Sequence, residues 1–243
     1  MKQSTICILT GPKGSGKTYT AREIISLHPR ILALDPHGSE FSLPGAVAVS
    51  DDDELLVALK ANWKTTSWLL TYTPAFDIEM ASESIASRAF ERRNCLAVFD
   101  ECGTYMHAGR IGRQMQRLIM QSRHRSVNVV LASPRLADVA TDVRTQADAW
   151  VICGALWTAR DVDTLEEHTS TEFRRTAQEP LQLGEHRQLG FDTQTRQPFE
   201  ITRANLQRLF DPPRVGPRPV ESLPAEPRGF WRRLLEPDGG WHY

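Results

Sequence analysis

The eight residues Gly11-Pro12-Lys13-Gly14-Ser15-Gly16-Lys17-Thr18 follow the short apolar run Ile6–Leu9 and precede a segment with helical spacing. Strand, glycine-rich loop and helix in that order leave few choices of fold. Glycines let the backbone curl so that successive N–H groups face one point, and the helix that follows adds the positive end of its dipole. An anion is the natural occupant. The pattern G-x-x-x-x-G-K-[ST], in that strand-to-helix context, is a phosphate-binding loop. Lys17 is expected to hold the β- and γ-phosphates of ATP, Thr18 to ligate Mg²⁺, and the run from Gly11 to Tyr19, with Pro12, Lys13, Gly14, Ser15 and Gly16 between, to line the nucleotide.

The rest of the chain supplies the sheet that such a loop needs. Apolar runs at Thr5–Leu9, Ile31–Leu34, Trp68–Tyr72, Leu96–Phe99, Val127–Ala132 and Trp150–Cys153 read as buried strands. Helical spacing over Lys17–Leu27, Asp52–Ala61, Glu79–Arg93, Gly112–Ser122 and Leu136–Gln146 separates them. This alternation predicts an α/β fold whose mostly parallel central sheet is flanked by helices. Two extended runs, Arg187–Phe191 and Pro198–Thr202, flank the polar stretch Asp192–Gln197 and predict a terminal β-hairpin. Prolines crowd Asp211–Pro227, so residues 1–210, with the hairpin and a helix over about 186–210, form the expected catalytic domain. Residues 211–243 are then an extended tail with a short amphipathic end, Phe230–Leu235.

A second motif completes a nucleotide site. Cys95-Leu96-Ala97-Val98-Phe99-Asp100-Glu101 is an apolar strand ending in two carboxylates, the form of a Walker B motif. Asp100 is expected to organise the metal, which leaves Glu101 to polarise the attacking water as general base. The pair favours ATP hydrolysis over phosphotransfer to a small molecule.

Leu32-Ala33-Leu34-Asp35-Pro36-His37-Gly38-Ser39-Glu40 resembles the second-strand signature of the FtsK/HerA superfamily of DNA-pumping ATPases, in which apolar residues lead into D-P-x-G-E. The phosphate loop, the Asp100-Glu101 pair and the stretch Ser122–Arg135, similar to that family's basic turn and sensor strand, extend the resemblance over roughly residues 5–153. It implies a RecA-like P-loop NTPase that works as a ring, pentameric or hexameric, on Mg-ATP and double-stranded DNA. Ser133 is the polar residue nearest the family's sensor position. In such rings an arginine of one subunit reaches the γ-phosphate of the next, a role for which Arg123 and Arg125 stand first and Arg144 third. With its phosphate loop at the eleventh residue, the chain most resembles the genome-packaging ATPases of membrane-containing double-stranded DNA viruses. That likeness implies a motor pumping DNA into a capsid, capsid or membrane-vertex proteins as partners, and a place in the host cytoplasm or at the packaging vertex.

Net charge gives no reason to expect a nucleic acid, being -1 overall, but its distribution does. From Cys102 to Ala137 there is no Asp or Glu, while Arg110, Arg113, Arg117, Arg123, Arg125 and Arg135 fall inside. Arg110, Arg113 and Arg117 recur at helical spacing and suit phosphate contacts without sequence readout. A solvated helix face would look the same. The four cysteines, Cys7, Cys95, Cys102 and Cys153, show no C-x-x-C spacing and are expected to be reduced and packed as small hydrophobes. No apolar run reaches the length of about 18 residues that a membrane span needs. A P-loop switch or assembly factor that does not move DNA satisfies the same motifs and remains the alternative.

Overall fold

The computed structural model describes residues 4–210 apart from 63, 107–110, 157 and 182–186. In chain order the elements are β1 (Ile6–Thr10), α1 (Lys17–Ser26), β2 (Arg30–Leu34), β3 (Ala46–Val49), α2 (Asp52–Ala61), β4 (Trp68–Tyr72), α3 (Ile78–Arg92), β5 (Cys95–Phe99) and α4 (Arg113–Arg125). There follow β6 (Val127–Ser133), α5 (Thr141–Gln146), β7 (Ala149–Cys153), α6 (Ala159–His168), α7 (Thr171–Gln178), β8 (Gln188–Asp192), β9 (Gln197–Glu200) and α8 (Arg203–Phe210).

The strands form one nine-stranded sheet in the order β3-β4-β2-β5-β6-β1-β7-β8-β9. Every pairing from β3 to β7 is parallel, and β8 and β9 add an antiparallel hairpin at one edge. The four central strands β5, β6, β1 and β7 are buried along their whole length, which is why their sequences are continuously apolar instead of alternating. Successive residues still serve opposite faces. Ile6 and Ile8 pack with the α2, α3, α4 and α6 side, whereas Cys7 and Leu9 pack with Ile24 and Ile25 of α1 and with Leu206 and Phe210 of α8. All four cysteines are buried free thiols.

β6 lies between β1 and β5, pairing Thr10 with Ser133 on one side and Phe99 with Leu131 on the other. The phosphate loop and the acidic pair therefore emerge from the same sheet edge, the carboxyl ends of the parallel strands, one strand apart. This is the crevice where open α/β sheets bind ligands.

The structure corrects the expected elements in three places. Leu136–Gln146 is not one helix but a 3₁₀ turn, Leu136–Asp138, and the separate α5. Buried Val139 is extended between them, and Asp161 takes the Ala137 N–H at 2.8 Å, a bond that fixes the break. The edge strand β3 and the helices α6 and α7 were not foreseen. Finally, α4 continues through Arg125 and stops at Ser126 in the left-handed region (φ 54°), so Arg123 and Arg125 belong to the last turn of a helix and not to a loop. Cations suit that position because they face the negative end of the helix dipole. The hairpin lies close to its expected bounds, turned by Asp192, whose carboxylate accepts the N–H groups of Gln194 and Thr195. Residues 211–243, and with them the tail, lie outside the described residues, as does Arg110.

Candidate functional site

The loop that leaves β1 can only be built with glycine at its first position. A Cβ on Gly11 (φ +148°) would stand 1.9 Å from the carbonyl oxygen of Cys153 at the end of β7. At the other end Gly16 (φ +98°) turns the chain into α1. The start of α1 differs from the other helices. Asp51, Asp77, Thr158 and Ser170 cap α2, α3, α6 and α7 with their side chains, and Glu83 of α3 accepts the Gln114 and Met115 N–H groups of α4, both at 2.8 Å. α1 has neither a side-chain cap nor an acidic residue in its first turn. Its free N–H groups and dipole are left for an anion.

Side chains around the loop are consistent with that. The Lys17 ammonium donates to the carbonyls of Gly11 at 2.7 Å and Pro12 at 2.9 Å, which places it inside the loop it has to serve. Burial pulls its pKa below the ordinary range, against the nearby Asp100, Glu101 and Glu40 carboxylates. The hydroxyls of Thr10 and Ser15 are buried with no hydrogen-bond partner, although an unpaired buried hydroxyl is costly. Thr18, on the first turn of α1, and Tyr19, 63% exposed, complete the loop's far side.

One strand away, the acidic pair is held rigidly. Asp100 is buried, its carboxylate accepts the Glu101 N–H at 3.0 Å, and the buried Tyr105 hydroxyl donates to its carbonyl at 2.8 Å. Desolvation, with the charges of Glu101, Glu40 and Asp35 added, pushes the Asp100 carboxyl up to about 6 despite the Glu101 N–H. Glu101 itself sits in the left-handed region (φ 48°), a strained conformation for a non-glycine residue. Its carboxylate meets His37 Nε2 at 3.2 Å, and that contact raises the imidazole pKa. Asp35, buried at the end of β2, spends its carboxylate on the N–H groups of His37, Gly38 and Phe41, so its part is to shape the loop that delivers His37.

Ser133 stands at the carboxyl end of β6, between the two motifs. Its hydroxyl donates to the Arg135 carbonyl at 2.7 Å, closing the turn that leaves the strand. Arg135, exposed, is the arginine of the acid-free segment that this turn brings to the same edge.

The arginines proposed for other roles lie elsewhere. Arg123 donates to Asp148 at 2.6 Å at the amino ends of the strands, opposite the loop; to serve a neighbour it would have to give up that partner. Arg117 and Arg125 stack over the ring of Phe90, 4.1 Å and 4.4 Å from its centroid. Arg113 is exposed at the start of α4, and Arg144 is bound to the hydroxyls of Thr141 and Thr164.

On the other flank of the loop the hairpin closes against it. Gln188 Nε2 donates to the Gly16 carbonyl at 3.4 Å, and a pocket of about 620 Å³ opens between Gly16 and Tyr19 on one side and Gln188, Glu200, Ile201 and Thr202 on the other. Sequence reasoning did not find that the hairpin borders the loop, because the polar turn signals a hairpin and nothing more.

No protein-family model and no curated protein matches the sequence. Solved structures do. The genome packaging NTPase B204 of Sulfolobus turreted icosahedral virus 2, in complex with ATPγS, is 17% identical with a TM-score of 0.62, over 82% of this chain and 97% of that one. The same protein in complex with AMP gives 15% identity and a TM-score of 0.64, over 84% and 100% of the two chains. The cytoplasmic domain of the Type VII secretion ATPase EccC of Thermomonospora curvata gives 10% identity and a TM-score of 0.50, over 80% of this chain and 23% of that one. At such identities the likeness establishes the fold: a P-loop NTPase sheet with helices on both faces.

Proposed function

We propose that this protein hydrolyses Mg-ATP at the carboxyl edge of its sheet and uses the energy, as a ring, to move double-stranded DNA. The observation that carries the ATPase reading is the convergence of the glycine loop, Lys17 and the Asp100-Glu101 pair on one edge, with orphaned hydroxyls and an uncapped helix between them. Lys17, already inside the loop, turns from the carbonyls of Gly11 and Pro12 to phosphate oxygens. Glu101 accepts the proton of the attacking water, held ready by a backbone that fixes its direction. The donor set fits magnesium, since Thr18 offers a hydroxyl and Asp100 a desolvated carboxylate surrounded by negative charge that a cation relieves. When bound, the metal neutralises charge on the phosphates.

Support for DNA as the substrate is coarser. It consists of the fold shared with packaging NTPases and of the acid-free segment that exposes Arg113 and Arg117 on α4. The switch alternative draws on a specific observation: Arg117, Arg123 and Arg125 have partners within the chain. DNA titration separates the two. A translocase should turn over ATP faster with duplex DNA of any sequence, by about tenfold at low salt, with the effect shrinking steeply as salt rises. Turnover indifferent to DNA in the assembled ring supports the switch.

A further inference from the structure

The phosphate loop has two flanks, and the carboxylates occupy only one. Asp100 and Glu101 follow β5, on the β6 side of β1; β7, β8 and β9 lie on the other side. A nucleotide whose terminal phosphate faces the acidic pair must direct its nucleoside the other way. There the sheet ends in the hairpin, and between hairpin and loop lies the pocket of about 620 Å³. That size falls within the roughly 300–1,000 Å³ of small-molecule sites.

Its lining suits a nucleoside. Tyr19 projects from α1 two residues beyond Lys17 and, at 63% exposure, offers an aromatic face to a ligand. Ile201 adds an apolar wall, while Gln188, Glu200 and Thr202 supply an amide, a carboxylate and a hydroxyl for ring nitrogens, exocyclic amines and ribose hydroxyls. Gln188 reaches the Gly16 carbonyl as well, so a group in the pocket touches the loop and the hairpin together.

We infer that the C-terminal hairpin forms the nucleoside half of the nucleotide site: the base, a purine in ATP, stacks on Tyr19 in the pocket closed by Gln188, Glu200, Ile201 and Thr202. This rests on the ATP-binding reading of the loop, and the test keeps the two apart by using inorganic tripolyphosphate, which has the phosphates of ATP and no base. The full chain is titrated with Mg-ATP and with Mg-tripolyphosphate in three variants. Tyr19→Ala removes the stacking face, and Glu200→Trp, at an exposed strand position that tolerates an aromatic, fills the pocket. Each should weaken ATP by about tenfold or more, as loss of one base–aromatic stack does, and leave tripolyphosphate within about twofold. Lys17→Ala should weaken both ligands. Should the two pocket variants weaken ATP and tripolyphosphate equally, or neither, the base lies elsewhere and the inference is overturned. A Lys17→Ala protein that binds both ligands normally instead overturns the phosphate-loop reading beneath it.

Discussion

The parallel strands have two ends, and the molecule treats polar groups differently at each. At the amino ends of β6 and β7 a buried amide and a buried carboxylate bind several partners each. Asn128 accepts the Thr5 N–H at 2.8 Å and donates to His28 at 2.8 Å and to the Phe210 carbonyl at 3.1 Å. Asp148 accepts the Ile6 N–H at 2.9 Å, Arg123 at 2.6 Å and Gln194 at 3.0 Å. These bonds tie β1, α1, β6 and α8 together. At the carboxyl ends the same strands present two orphaned hydroxyls, an uncapped helix, a strained Glu101 and a carboxylate pushed up to about 6. One end ties the sheet to the helices around it, the other leaves groups for a ligand, and the strain at Glu101 lies where it serves chemistry.

Substitutions at the two ends should therefore fail in different ways. The largest expected effect is that of Lys17→Ala, which removes the charge that orients the phosphates. Turnover should fall by about 100-fold or more while the melting temperature stays within about 2 °C, measured by steady-state hydrolysis and calorimetry. A large loss of stability in this variant would erase the distinction between the ends.

Asp148→Ala should do the reverse. It leaves the Ile6 N–H unpaired inside the sheet, so unfolding should become easier by about 2–4 kcal/mol in urea titration. Arg123→Ala sharpens the point: Asp148 keeps its other partners, stability should drop by only about 1 kcal/mol, and turnover of folded protein should stay within about threefold. A turnover loss on the order of 10³ would instead return Arg123 to the role of a finger acting between subunits.

The smallest effect is a pH dependence. His28 Nδ1 lies 2.9 Å from the Ile24 carbonyl, so its Nε2 must accept from Asn128, which requires the neutral ring. Burial lowers its pKa in the fold, whereas the unfolded chain takes up a proton below about 6.5. Stability from this group is present above that pH and lost as pH falls below it, by about 1 kcal/mol over the first unit. Urea titrations at pH 7.5 and about pH 5.5 should show a steeper decline for the wild type than for His28→Leu; equal slopes would remove His28 from the account.

How much of this was legible depended on the range of each interaction. The phosphate loop and Asp100-Glu101 were readable because their chemistry is local: adjacent residues at a strand end suffice to specify them. The strands β1, β5, β6 and β7 were readable because burial on both faces makes them apolar without interruption. β3 escaped, with only four residues and two of them exposed. Pairings across the fold left no trace in spacing. Arg123 looked free in sequence because its partner Asp148 lies 25 residues on, and Gln188 meets Gly16 across 172 residues. Nothing in the spacing of His37 marks it as a partner of Glu101, to which the Asp35 loop carries it.

The claim that the carboxyl edge is an ATP-hydrolysing site is tested most directly by Glu101→Gln, which removes the base and keeps the size and hydrogen-bonding shape of the side chain. Nucleotide affinity and steady-state hydrolysis are measured on the same preparation. ATP should bind with wild-type affinity, within about twofold, and turnover should fall by about 100-fold or more. A Glu101→Gln protein that hydrolyses ATP at the wild-type rate would contradict the account.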